Sequence, residues 1–257
     1  MKKLLCLLIV LILAFGTTAC SLLPKIGGKG GSVESVMAEF TALLNKNSVI
    51  DEDVKLLNDF LGTLASSQVC LSGTIREVKT DYNYFVLDVS GVEVDIWVDS
   101  VSGVKIGGKV TVIGALYLES GNYRDVSFSV NGKIINESQI PEAAKISSKP
   151  QNNVSSIMSW FINNLPTLYI INDVKAFNEF AYALMNADIR VSGKITEEID
   201  EYFFRLSSGD LEINVFMDEA NMVRLGDSVK LSGRLLSVRP SSSWSASFSL
   251  TDCVKVR

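Results

Sequence analysis

Histidine is absent from the 257 residues, which removes His-based triads, His-ligated zinc and the usual neutral-pH general base. Four cysteines, 29 Asp and Glu and a set of aromatics remain to do chemistry. No G-x-S-x-G, H-E-x-x-H or C-x-x-C is present. Carboxylates gather at Glu197, Glu198, Asp200 and Glu201, and Asp99 and Asp218 occupy matching positions further apart. None shows the alternating oxygen ligands, Gly and closing Glu of a calcium loop, so they read as solvated turns. Gly27 to Gly31 lacks the G-x-x-x-x-G-K-[ST] spacing of a phosphate loop. The expectation is a protein that is not an enzyme and holds no cofactor or metal.

Binding is the chemistry left, and the aromatics are its natural carriers. Val92, Val94, Ile96 and Val98 alternate with Glu93, Asp95 and Trp97, the period of a half-buried strand. The outward set there is Tyr84, Val86, Glu93, Asp95 and Trp97. A second stretch gives Phe203, Arg205, Glu212, Asn214 and Phe216, with Trp97 and Phe216 equivalent. Tyr123 and Trp244 stand on two polar loops, Glu119 to Arg124 and the Ser-rich Arg239 to Ser245. The candidate binding residues are therefore Tyr84, Trp97, Tyr123, Phe203, Arg205, Phe216 and Trp244. An opposing reading stays open. Helical apolar stripes must pack somewhere, and laid across these faces they would bury Trp97 and Phe216 in a second core, the reading favoured here.

The elements that position these residues occur twice. Val69 to Ile135 can be laid over Ile189 to Val256: Ser72-Gly73-Thr74-Ile75 on Ser192-Gly193-Lys194-Ile195, Val92 to Asp99 on Leu211 to Asp218, Ser127 to Val130 on Ser247 to Leu250. Upstream, Val33, Val36, Met37 and Phe40 repeat as Val154, Ile157, Met158 and Phe161, at helical spacing. Val54, Leu57, Phe60 and Leu64 repeat as Val174, Phe177, Phe180 and Leu184, and Asp51 stands where it could cap the first of these. Five strand-like runs follow in the first copy, Val69–Val78, Tyr84–Val89, Val92–Val98, Lys109–Leu118 and Val126–Ile135. Five antiparallel strands suit a small closed barrel, with Gly73 and Gly193 permitting tight bends. The expected fold class is α+β: two tandem units from an internal duplication, each a helical pair followed by a five-stranded barrel.

These motifs resemble the OB-fold, closest to the tRNA-anticodon-like OB domains of bacterial extracytoplasmic proteins. The pattern is V-x-x-S-G-x-I, a Y/F-F-x-L strand, an alternating strand, apolar-G-x-x-V and apolar-x-G-x-L, over about 65 residues per copy. The resemblance implies a binding barrel that contacts its ligand through the second and third strands and the loops between strands; it names no ligand.

The N-terminus supplies an address. Lys2 and Lys3 precede an apolar run of 12 residues, Leu4 to Phe15, shorter than the ~20 a membrane span needs. Thr17-Thr18-Ala19-Cys20 then resembles the lipobox of bacterial lipoproteins, departing from it at Thr17, where Leu is usual. That resemblance implies cleavage before Cys20 and its lipidation; ordinary cleavage after Ala19 and a retained anchor helix are the alternatives. Cys70 and Cys253 remain in the body of the chain, read as isolated buried thiols with a bridge as the alternative. The expected layout is a lipoprotein signal peptide over 1–19, a tether over 20–32, helices over 33–68, a barrel over 69–135, a linker over 136–152, helices over 153–188 and a barrel over 189–257.

Charge narrows the partner. The chain carries 24 Lys and Arg against 29 Asp and Glu, a net charge of -5. The first barrel segment holds 6 basic and 8 acidic residues and the second 9 and 10, neither a basic funnel for nucleic acid. The expected function is a non-enzymatic binding or interaction module of the bacterial envelope. It is lipid-anchored through Cys20 on the extracytoplasmic side and meets an envelope protein. The alternative is capture of a soluble ligand such as a glycan, small molecule or single-stranded nucleic acid.

Overall fold

A computed structural model of the chain describes residues 33–120, 126–140, 149–165, 169–171, 174–217, 223–238, 246 and 248–256. Cys20, Tyr123 and Trp244 lie outside them. Four helices form where the apolar spacing predicts: α1 Val33–Asn47, α2 Val54–Ala65, α3 Val154–Asn164 and α4 Val174–Met185. Asp53, not Asp51, caps α2, its carboxylate accepting from the backbone N–H groups of Lys55 at 2.9 Å and Leu56 at 3.1 Å. Asn153 caps α3 through the N–H of Ser156 at 2.8 Å.

Asp51 is taken up elsewhere. It follows a two-residue strand, β1 (Val49–Ile50), and meets Lys230 at 2.8 Å and Arg190 at 3.5 Å. Both cations hold its carboxyl below the usual carboxylate range, Lys230 most strongly.

The remaining strands are β2 Gln68–Lys79, β3 Tyr84–Val89, β4 Val92–Trp97, β5 Lys109–Ser120, β6 Val126–Ile135, β7 Tyr169–Ile171, β8 Asp188–Glu198, β9 Phe203–Ser208, β10 Leu211–Phe216, β11 Ser228–Val238 and β12 Phe248–Val256. Strands β2 to β6 close on themselves. β2 pairs β3, β3 pairs β4, β4 runs parallel to β6, β6 pairs β5, and β5 returns to β2. Ile75, Phe85, Leu87, Val94, Ile96, Val112, Leu116 and Val130 fill this five-stranded barrel. Strands β8 to β12 carry the same order of pairings at the aligned positions, β10 parallel to β12 included.

Gly73 and Gly193 stand where β2 and β8 change partner, and both allow a close approach. A Cβ on Gly73 would stand 2.3 Å from the Asp88 carbonyl oxygen, and one on Gly193 2.3 Å from that of Ser207. Three residues after each glycine a bulge, between Ile75 and Glu77 and again between Ile195 and Glu197, shifts the register.

The helices do not pair off by sequence. α1 packs chiefly on α4, and α2 on α3. Phe40, Phe60, Phe161 and Phe180, one from each helix, meet with ring centroids 5.6–6.4 Å apart and are fully buried. Each such ring contributes roughly 1.5–3 kcal/mol by its burial. The short strands cross over too. β1 adds in parallel to β8, pairing Val49 with Asp188, and β7 adds to β2, pairing Tyr169 with Gln68. Between β5 and β11, Leu118 pairs Val238 and Glu119 pairs Ser237. Positions about 120 residues apart thus exchange partners reciprocally.

Cys70 and Cys253 are buried free thiols. Burial pushes both up, Cys253 to about 12. No helix among the described residues is long and apolar enough to cross a membrane.

Candidate binding face

Among the described residues the helices make their main sheet contacts with β5, β6, β11 and β12, and not with β3, β4, β9 or β10. Burial of Trp97 and Phe216 beneath the helices is therefore not found: Trp97 is 41% exposed and Phe216 half-buried. The apolar stripes instead satisfy one another, around the four phenylalanines.

Directly opposed residues in antiparallel strands share a face, so the pairing register fixes what stands beside what. Tyr84 opposes Trp97, and their rings lie 4.8 Å apart at 32°. Phe203 opposes Phe216, and those rings stack at 4.4 Å and 3°. Each pair offers a stacking surface at the same place on its sheet.

The next row differs between the two sheets. In the first it reads Glu77, Val86, Asp95; in the second, Glu197, Arg205, Asn214. The Arg205 guanidinium donates to Glu197 at 2.5 Å and lies 3.5 Å from Glu212. It thus sits between two carboxylates of its own face. Glu93 is the counterpart of Glu212, and Val86 gives it nothing to pair with. Lys79 pairs with Glu77, and Arg76, the bulged residue, with Asp88. Among the described residues no cation meets Glu93 or Asp95. The Asp95 carboxyl, although the residue is open to solvent by area, is held above the usual carboxylate range by partial desolvation, then by Glu77 and Glu93.

The structure thus brings Tyr84 together with Trp97, and Phe203 and Phe216 together with Arg205. Tyr123 and Trp244 fall outside the described residues, as does Cys20. Glu77 and Glu197 escape a reading by alternation, because the bulge moves each onto the face that Arg76 and Thr196 would otherwise occupy. Their one signal in the sequence is position, two residues past a strand Ile that both copies share. Among the described residues no group of three or more Cys, Asp and Glu is placed to hold a metal ion.

No family model matches the chain, and no curated protein sequence matches it. Solved structures give weak likenesses. One, described as "Structural mimicry for functional antagonism", is 11% identical with a TM-score of 0.20, over 75% of this chain and 91% of that one. The wild-type single-stranded DNA binding protein from Thermus aquaticus is 13% identical with a TM-score of 0.19, over 74% and 93%. At such scores neither carries an argument, so the fold stands on its own pairings. The circuit of β2 to β6, with β4 parallel to β6, decides it. The chain contains an OB-fold-like barrel.

Proposed function

We propose that this chain is a bacterial envelope lipoprotein, anchored through Cys20, that presents two OB-like barrels to an envelope protein. In this reading the barrels arose by internal duplication, and the two halves, 33–135 and 153–257, embrace as a dimer would. The reciprocal pairings of β1 with β8 and β7 with β2 support the duplication. The observation that carries the function is the open face of β3–β4 and β9–β10, with an aromatic pair on each. Two linked faces raise avidity without a tight single site. A protein partner is favoured over nucleic acid because neither face is a basic groove.

Cross-linking the lipidated protein in its native envelope, then purifying it, tests this. A specific protein is expected with the wild type and lost with a Trp97→Ala/Phe216→Ala double variant of equal melting temperature. Recovery of the same protein from both forms would move the contact off this face, and recovery of none from either would favour a soluble ligand.

A further inference from the structure

The second face contains a ligand-like contact made by the chain itself. Arg205 lies beside the stacked Phe203 and Phe216 and bridges Glu197 to Glu212. On the first face the acidic frame is kept, as Glu77 and Glu93, and the aromatic pair is kept, as Tyr84 and Trp97. The guanidinium is gone, replaced by Val86; Asp95 stands in place of Asn214 and Asp88 in place of Ser207, each adding a carboxylate, while Thr74 stands in place of Lys194 and Arg76 in place of Thr196. Four carboxylates (Glu77, Asp88, Glu93, Asp95) then face two cations, Lys79 and Arg76, each already paired. At the second face Glu197 and Glu212 meet Arg205, with Lys194 in the outer row.

We propose that the first face docks a basic segment of the protein partner, whose Arg or Lys settles over Val86, beside Asp95 and Glu93 and one row from Trp97, at the position that Arg205 holds on the second face. The inference rests on the interaction-module reading and adds the chemistry of the partner. Charge complementarity selects the occupant: two carboxylates that meet no cation among the described residues, Asp95 in the next row and Glu93 in the row beyond, run along the strand from an exposed indole, which attracts a cation through its ring face as well. An acidic strand of nucleic acid or an anionic surface meets repulsion at the same spot. The second face, neutral on its own account, has no such preference, so the two faces are not interchangeable.

Titration calorimetry of the full chain with a capped Arg-Gly-Arg-Gly-Arg peptide, against its Glu-Gly-Glu-Gly-Glu counterpart, is the test. The basic peptide is expected to bind once per chain, to weaken with added salt, and to exceed the acidic peptide at least 10-fold. Val86→Arg, which installs the internal guanidinium, is expected to weaken it at least 10-fold. Asp95→Asn, a conservative change that keeps the strand, is expected to weaken it several-fold. Arg205→Val with Asn214→Asp is expected to raise the stoichiometry from one to two. Equal binding of both peptides, or binding that Val86→Arg and Asp95→Asn leave unchanged while melting temperature holds, would overturn the proposal. The envelope cross-link separates this from the parent reading. A partner lost in the aromatic double variant but retained in Val86→Arg sinks the basic-segment inference alone, whereas a partner retained in both sinks the face itself.

Discussion

The outer faces of β3–β4 and β9–β10 have the same backbone register, an aromatic pair at the same place and different electrostatic states. On one, Arg205 closes two carboxylates within the chain; on the other, Glu93 and Asp95 stand open. The frame is set by buried positions that both halves keep, such as Phe85 and Phe204 or Ile96 and Val215. The charge is set by outward positions that packing does not constrain. A barrel can therefore change what it presents by substituting a few outward residues, 86, 88 and 95 against 205, 207 and 214 among them, at little expense to the fold.

The strongest way to break the comparison is to attack what the faces share. Phe40 and Phe161 are aligned positions that touch each other at the centre of the helices, 6.4 Å between rings. Phe40→Ala and Phe161→Ala are each expected to lose about 3–5 kcal/mol in chemical denaturation, both faces failing in one transition. Two separate transitions would show that the halves fold independently, and would weaken the picture of an internal dimer. A smaller loss is expected where a strand passes close to its neighbour. Gly73→Ala and Gly193→Ala each drive a methyl against a backbone carbonyl, so each is expected to cost about 1–3 kcal/mol. A loss at one and not the other would mean that the shared frame is not equally loaded.

How far the sequence speaks follows the same division. The strands of the first barrel were legible nearly to the residue, Tyr84–Val89 and Val126–Ile135 without change, because alternation against a closed core is periodic and long. The helices were legible for the same reason, at a different period. Which helix packs on which was not, since an apolar stripe such as Val36, Met37 and Phe40 carries no address. β1 and β7, two and three residues long, are too short to show a period, yet they tie the halves together. Asp51 looked like a cap because it precedes α2, and its true partners, Lys230 and Arg190, lie far along the chain. On the candidate face the aromatics were readable from alternation, and Glu77 was hidden by a one-residue bulge.

The finest test concerns Asp95 alone. Its carboxyl is raised in the folded chain from an ordinary 3.8, by partial desolvation and by Glu77 and Glu93, so the folded state keeps that proton to higher pH than the unfolded state does. The stability it confers is complete below the ordinary carboxylate range and is lost as pH rises through the raised value. Asp95→Asn removes the loss, so the variant is expected to melt above wild type at neutral pH, by less than about 1 kcal/mol for so open a site. The gap should close as the pH falls below the carboxylate range. Asn214→Asp sharpens the contrast, because its register partner is Arg205. There a new carboxylate meets a cation, and thermal melts are expected to show no penalty at neutral pH. A penalty as large as the one Asp95 imposes would mean that Arg205 is already saturated by Glu197 and Glu212, and that the two faces differ less in charge than their residues suggest.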